Sequence, residues 1–157
     1  MTRQSTLWGV LVLVLITVNA QIVHKQMVLD RGCRVLLELA PVDPRSLMQG
    51  DYMVLDYAVS RAALNHTGEK RDGCLVLEVG GDDVGRYRHV HDGAPVGPGE
   101  QLLRYRRRAR VQLGAEAYFF QEGQRERYQK ARYGELRVDA SGESVLVGLC
   151  DAERRPL

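Results

Sequence analysis

The feature that most constrains this chain is an uncharged stretch near its start, Leu7 to Val23, in which eleven of seventeen residues are Leu, Ile or Val. At about 1.5 Å per residue, a helix over this stretch spans roughly 25 Å, slightly less than a hydrocarbon core of about 30 Å. Lys25 can extend its ammonium group to the interface, which lengthens the usable helix to about Val28. The stretch therefore predicts an N-terminal membrane anchor over residues 1–28.

The same stretch also fits a cleaved signal peptide. Arg3 would be the charged start, Leu7 to Ile16 the apolar region and Val18-Asn19-Ala20 the small-residue cleavage site. The residues alone leave the anchor and the signal peptide nearly even.

The orientation of the anchor is not set by its flanking charges. Arg3 lies on one side and three basic residues lie on the other, Lys25, Arg31 and Arg34, so the positive-inside rule does not favour exporting the domain. A very short N-terminal tail before one apolar segment resembles an export signal, however, and we therefore expect the domain outside the cytoplasm.

Length, charge and cysteine content bound the remaining chain. Its 157 residues suffice for one domain after the tether, and 22 basic against 20 acidic residues do not indicate nucleic-acid binding. Cys33, Cys74 and Cys150 are widely spaced, without the close pairs of a zinc site. Two of them could form a disulfide outside the cytoplasm, or all three could be buried thiols. We predict no metal and no cofactor.

Residues 29–150 alternate between apolar and polar positions with turn residues between the runs. The predicted strands are Cys33 to Ala40, Tyr52 to Tyr57, Cys74 to Val79, Val84 to Val90, Leu102 to Leu113, Ala117 to Phe120, Tyr133 to Val138 and Ser144 to Leu149. One helix is predicted over Glu122 to Arg132, with a further helical turn around Arg61 to Leu64. The pattern predicts a mainly β domain, an antiparallel barrel or sandwich with one short helix, and a loose tail over residues 151–157.

The domain is organised around the stretch from Pro44 to Tyr57. Asp43-Pro44 favours a short helical turn through Leu47, and Gly50-Asp51 ends it. In the strand that follows, Met53, Leu55 and Tyr57 share one face, while Tyr52, Val54 and Asp56 share the other. We interpret Leu55 and Tyr57 as core, Tyr52 as a second packing layer and Asp51 as the cap of its own turn.

These residues carry a resemblance. Gly50, Asp51, Tyr52, Leu55 and Tyr57 match the pattern that names the GDYXXLXY protein family. Phe119 to Gly123, Tyr128 and Ala131-Arg132-Tyr133 resemble its second block, and the resemblance runs from the apolar segment to about Leu149. It implies a bacterial protein with one membrane helix, often encoded beside a multi-pass membrane protein, and no established activity or catalytic residues. The resemblance favours a retained anchor in the bacterial inner membrane, with the domain in the periplasm.

A basic run is the first candidate interaction site. Arg104, Arg106, Arg108 and Arg110 occur at every second residue, so a strand would place all four on one face. This arginine ladder could meet anionic lipid headgroups or an acidic partner surface. The alternative is a solvated outer face, paired with acidic residues of neighbouring strands.

Two further patterns could carry chemistry. His89 and His91, followed by Asp92, share a strand face, but a metal site needs three or four ligands. Ser46-Leu47-x-x-Gly50-Asp51 resembles the end of the signal-peptidase motif. In that register the nucleophile position falls on Val42, which has no hydroxyl, and no lysine lies between Lys70 and Lys130 to act as base.

The sequence therefore predicts a membrane-anchored, noncatalytic accessory or interaction domain that associates with a multi-pass membrane protein. The alternative is a membrane-tethered hydrolase, distantly related to the signal-peptidase fold, in whose pocket Ser46, Asp51 or His89 would converge.

Overall fold

The computed structural model describes residues 3–40, 48–49, 52–68 and 70–157. The turn predicted from Asp43 to Leu47, the glycine break at Gly50 and the cap assigned to Asp51 lie outside these residues.

The described chain begins with one long helix, α1, Arg3–Arg31, of 29 residues. It is long and apolar enough to cross a membrane, and its most apolar window lies wholly outside the protein interior. The helix extends three residues beyond the predicted end at Val28. Gly32 then closes its last turn by donating its N–H to the Val28 carbonyl at 2.9 Å, and the first strand follows directly at Cys33.

After α1, the described residues form ten strands and two short helices. These are β1 (Cys33–Glu38), β2 (Met48–Gln49), β3 (Tyr52–Val54), α2 (Ala58–Leu64), β4 (Asp72–Val79), β5 (Gly85–Val90), β6 (Glu100–Arg107), β7 (Val111–Gln112), β8 (Ala117–Phe119), α3 (Arg125–Tyr128), β9 (Tyr133–Val138) and β10 (Ser144–Cys150). They pair in three antiparallel sheets, of strand orders β1-β9-β10, β2-β3-β8 and β5-β4-β6-β7. The predicted fold class, an N-terminal apolar helix followed by a mainly β antiparallel domain, is confirmed.

The three sheets enclose one main hydrophobic core. Alternate residues of the strands enter it: Val35 and Leu37 of β1, Leu75 and Leu77 of β4, Leu103 and Tyr105 of β6, and Leu136 and Val138 of β9 are all at most 2% exposed. The motif strand follows the predicted alternation, with Met53, Leu55 and Tyr57 buried and Tyr52, Val54 and Asp56 less so. This period of two is what the pleat of a strand imposes.

The helical segments differ from the prediction in their limits. The helical turn predicted around Arg61 is a full helix, the seven-residue α2, which begins at Ala58. The described part of the domain therefore contains two short helices, whereas one was predicted. The helix predicted over Glu122 to Arg132 is only the four-residue α3. Gly123 has a φ of +85°, a left-handed conformation that an α-helix cannot include, and the helix starts two residues later.

The prediction of one long strand from Leu102 to Leu113 is wrong. β6 ends at Arg107, the chain reverses, and β7 pairs back on β6 with Arg107 opposite Val111. A straight strand of the predicted length would extend about 40 Å, whereas its partner β4 begins at Asp72, opposite Arg106. Reversal keeps Val111 and Leu113 buried, at 2% and 7% exposure, and it leaves Ala109 exposed at the bend.

The C-terminal residues 151–157, which we expected to be loose, fold back along β10. Asp151 Oδ1 accepts the backbone N–H groups of Glu153 and Arg155, each at 2.9 Å, which forms a compact turn. Leu157 then donates its N–H to the Leu149 carbonyl at 2.9 Å and packs against the core.

The three cysteines are free thiols at different depths. Cys33 is exposed, Cys74 is half-buried and Cys150 is buried, so the expectation of three buried thiols holds only for Cys150. Burial raises the pKa of the Cys150 thiol to about 11. That thiol therefore stays protonated at neutral pH.

A conservative change at Tyr57 tests the core. Its hydroxyl donates to the Ala115 carbonyl at 2.7 Å, its ring is 1% exposed, and burial raises its pKa well above the usual value. We expect Tyr57→Phe to lower the free energy of unfolding by about 1–3 kcal/mol, because the substitution removes the hydrogen bond and leaves a buried carbonyl without a partner.

Tyr105→Phe is the matched control for this measurement by urea denaturation of the full chain in a nonionic detergent. The Tyr105 hydroxyl is also buried but has no hydrogen-bond partner among the described residues. Its removal should leave stability unchanged or slightly raised. Equal destabilisation by the two substitutions would contradict the role assigned to the Tyr57 hydrogen bond.

Candidate functional site

The two sequence blocks of the motif meet in space. β3 pairs with β8 so that Tyr52 lies opposite Phe119, and their ring centroids are 5.7 Å apart. The Phe119 side chain is 74% exposed, which is rare for phenylalanine. The Tyr52–Phe119 pair therefore forms an aromatic surface patch, which we call the Tyr52–Phe119 patch.

Aromatic contacts beneath this patch hold α3 against β8. Tyr118 and Phe120 each lie 5.2 Å from the Tyr128 ring, between centroids, and Tyr128 is 7% exposed. Tyr128 faces inward, as predicted. Directly after the second block, Gly134 on β9 leaves room for the Tyr57 ring, because a Cβ at Gly134 would lie 2.9 Å from Tyr57 Cε1. Both blocks thus build one packed unit.

A groove of about 850 Å³ opens between the end of α1, strands β4 and β6, and the turn joining β9 to β10. Four basic side chains line it, Lys25, Arg104, Arg106 and Arg108, and we call it the basic groove. Its geometry depends on β6 lying against the β9–β10 turn. The Arg104 N–H donates to the Gly142 carbonyl at 2.8 Å, and Gln101 Nε2 donates to the Asp139 carbonyl at 2.8 Å.

The predicted arginine ladder is only partly present. Arg104 and Arg106 lie on β6 and are exposed, whereas Arg108 and Arg110 lie at the reversal that follows. Arg108 still reaches the basic groove, but Arg110 lines neither it nor the smaller cavity described below. The expectation that all four share one strand face is therefore wrong, because the strand ends at Arg107.

The arginines of the groove differ in their ion pairing. Arg106 lies 3.7 Å from Asp72 in a pair that is mostly exposed, and such pairs contribute little. Within the described part of the chain, Arg104 and Arg108 have no carboxylate within ion-pair distance. The alternative of a solvated face paired with acidic neighbours fits Arg106 alone.

The carboxylates at the rim of the groove are engaged in internal bonds. Glu116 accepts the backbone N–H groups of Leu113 and Gly114, which shapes the loop before β8. Glu143 accepts His24 Nε2 at 2.8 Å and Lys25 Nζ at 2.6 Å. These contacts lower the pKa of Glu143 to about 2, with the His24 hydrogen bond the largest cause.

The bonds to Glu143 also join α1 to the domain. Val28 of α1 is 2% exposed, and Gly32 is packed between α1 and β9, since a Cβ there would be 2.4 Å from the Val28 carbonyl and 3.0 Å from Val138 N. Lys25, expected to extend towards the interface, instead binds the domain. The helix and the β domain are therefore in direct contact, without a linker.

A smaller cavity of about 340 Å³ adjoins the basic groove and shares Arg108 with it. Lys70, Arg71 and Arg107 supply further positive charge to its wall. The antiparallel pairing of β4 with β6 brings these residues together, since Asp72 lies opposite Arg106. Sequence analysis missed this cluster. Its signal, Lys70 and Arg71 directly before a strand, is informative only once β4 is known to pair with β6.

One polar group at the groove is buried without a partner. Tyr105 lines the groove and is 2% exposed, and its hydroxyl makes no hydrogen bond to any described residue. Its ring packs on Gly73, where a Cβ would lie 2.9 Å from the Tyr105 hydroxyl oxygen. Burial raises the pKa of Tyr105, so the group is a neutral hydrogen-bond donor.

The remaining predicted chemistry lies elsewhere on the molecule. His89 is exposed on β5 and His91 follows the strand, while Asp92 Oδ1 accepts the Ala94 N–H at 3.0 Å. In the described ranges, no group of three or more His, Cys, Asp or Glu residues is placed to hold a metal ion. Ser46 and Asp51 lie outside those ranges, so their convergence with His89 stays a prediction.

The shifted pKa of Glu143 predicts a pH dependence. The pKa of Glu143 in the folded protein, about 2, is below the usual glutamate value of about 4.3. The contribution of Glu143 to stability is therefore complete above about pH 4.3 and is lost as the pH falls towards about 2. Glu143→Gln should lower stability by roughly 1 kcal/mol at neutral pH and reduce the loss of stability over this acidic window. Thermal unfolding in nonionic detergent at several pH values measures both effects. An unchanged pH profile would show that the carboxylate does not join α1 to the domain energetically.

Comparison with known proteins gives one match. A family described as GDYXXLXY protein matches residues 14–149. The match includes the apolar helix from residue 14 onward, the motif strand and the second block that packs against it. No curated protein and no solved structure matches the chain significantly. On the extent of the family match, the chain belongs to the GDYXXLXY protein family.

Proposed function

We propose that this protein is a membrane-anchored, noncatalytic interaction domain that acts as an accessory to a multi-pass membrane protein. The observation that carries the proposal is the direct continuation of an apolar 29-residue helix, α1, into the β domain at Gly32. A domain joined in this way to a spanning helix stays close to the bilayer surface in one orientation.

The polar residues within α1 support a spanning role. Thr17 Oγ1 donates to the Leu13 carbonyl and Asn19 Nδ2 donates to the Leu15 carbonyl, each at 2.8 Å. In lipid, polar groups must find partners inside the helix, and these bonds provide them. The same bonds lie at the predicted cleavage site Val18-Asn19-Ala20, where the chain is helical. The support for a retained anchor over a cleaved signal peptide is the family match, which begins at residue 14 and so includes part of the apolar segment.

The described surface gives no support to the alternative of a tethered hydrolase. Cys74 and Ser144 line the basic groove, but among the described residues no histidine lines it with them and no carboxylate is hydrogen-bonded to either side chain. A nucleophile without a base within hydrogen-bond reach is not activated. An interaction role needs only exposed complementary surface.

The Tyr52–Phe119 patch is the surface we assign to the partner. β8 is an edge strand, and Phe119 on it is 74% exposed beside Tyr52. Exposed aromatic side chains of this kind are typical anchors of protein–protein interfaces. The family block that contains Phe119 would then serve packing through its buried members and docking through this one.

We place the protein in the bacterial inner membrane with its domain in the periplasm. The support is the family resemblance, which implies a bacterial protein with one membrane helix. The flanking charges leave this orientation to be measured.

Cys33 allows that measurement, because it is exposed and follows α1 by two residues. We expect a membrane-impermeant maleimide to label Cys33 in intact spheroplasts, and Cys33→Ser to remove most of that labelling, since Cys150 is buried. The chain should stay in the membrane pellet after alkaline carbonate. Labelling only after lysis would put the domain in the cytoplasm, and release by carbonate would refute the anchor.

Docking is tested by Phe119→Ser in tagged full-length protein. We expect this change to reduce co-purification of a multi-pass membrane protein at least tenfold, about 1.4 kcal/mol or more, as loss of an aromatic anchor does. Val147→Ser is the matched control, since Val147 is also exposed, at 49%, but lies on β10. Unchanged recovery with Phe119→Ser, or equal loss with both variants, would count against the assigned patch.

A further inference from the structure

We propose that the basic groove binds the phosphate group of an anionic phospholipid headgroup. The inference rests on the proposed function, because α1 must span the bilayer for the groove to meet the lipid. It goes beyond the arginine ladder, since the site is made by α1, β4, β6 and the β9–β10 turn together.

The position of the groove along α1 is the first support. Lys25 lines it and lies two residues after Val23, where the uncharged stretch ends. If that stretch occupies the hydrocarbon core, Lys25 lies at the depth of the headgroups. The groove then opens beside the anchor at the level of lipid phosphates.

The charge of the groove is the second support. Arg104 and Arg108 have no carboxylate partner among the described residues, and the pair between Arg106 and Asp72 is long and exposed. Of the carboxylates at the rim, Glu116 accepts backbone N–H groups and Glu143 accepts His24 and Lys25, so neither forms an ion pair with Arg104 or Arg108. Guanidinium groups bind phosphate oxygens through paired hydrogen bonds, which suits this ligand better than a single point charge would.

The third support is the size of the groove. The groove volume of about 850 Å³ is within the range of small-molecule sites.

The adjoining smaller cavity continues the positive surface through Arg108 to Lys70, Arg71 and Arg107. Each basic residue near an anionic membrane surface contributes about a fivefold increase in affinity. The continuity of the two cavities favours a lipid surface, in which many phosphates lie side by side, over a single soluble anion.

The test uses the full chain purified in a nonionic detergent, with retained lipid counted by native mass spectrometry. We expect phosphatidylglycerol to be retained in preference to phosphatidylcholine. Arg104→Gln combined with Arg108→Gln should weaken phosphatidylglycerol binding about twenty-fivefold, at about fivefold for each arginine. Inorganic phosphate added at constant ionic strength should not displace the lipid.

Arg127→Gln combined with Arg132→Gln is the matched control. It removes the same charge, and both arginines are exposed and form no ion pair with a described residue. Arg132 directly precedes Tyr133, which lies at the end of the β1–β9 sheet that is remote from α1. The control should bind lipid like the unmodified chain, and circular dichroism should show that both variants fold.

Four results would overturn the inference. The first two are equal retention of the two lipids and equal weakening by both variants. The third is displacement of the lipid by inorganic phosphate, which would indicate a soluble-anion site. The fourth is loss of a protein partner with the groove variant while lipid binding is unchanged. A chain that stays in the membrane after carbonate but shows no lipid preference would refute this inference alone. Release by carbonate would instead refute the anchor.

Discussion

Tyr57 connects two of the three sheets through one buried side chain. Its backbone forms a bridge with Leu39 just after β1, its ring lies on Gly134 of β9, and its hydroxyl binds the Ala115 carbonyl two residues before β8. A larger residue at Gly134 would displace the ring, and a phenylalanine at Tyr57 would lose the hydrogen bond. The motif residue is therefore a packing element, whereas its neighbours on the opposite strand face lie nearer the surface.

A second constraint operates where α1 enters the domain. Val28 is buried, Gly32 has no room for a side chain, and Glu143 binds two residues of α1. Because the helix and the domain are in contact, any surface near the β9–β10 turn has a defined position relative to the membrane in which α1 would lie. This contact supports the proposed role of the basic groove, because the same arginines on a flexible tether would have no defined depth relative to the membrane.

Prediction from the sequence worked where a local rule applied. The alternation of Met53, Leu55 and Tyr57 predicted their burial, because successive side chains of a strand point to opposite faces. The same rule gave a wrong prediction after Arg107, because the strand ends there and the chain reverses, so that Arg108 and Arg110 lie at a bend. Strand length depends on the partner strand, and β4 starts opposite Arg106. No local pattern contains that information.

The sequence by itself determined the apolar helix, the antiparallel β character and the family, because hydrophobic period, turn residues and a contiguous motif are all local properties of the chain. Only the tertiary structure decided which basic residues share a groove, since Lys25, Arg104 and Lys70 come from separate elements that meet through strand pairing and the contact with α1. It also decided that Glu116 accepts backbone N–H groups and that Glu143 pairs with Lys25, which leaves Arg104 and Arg108 without a carboxylate partner among the described residues. Charge along a sequence can be counted, but its pairing depends on distances between residues far apart in the chain.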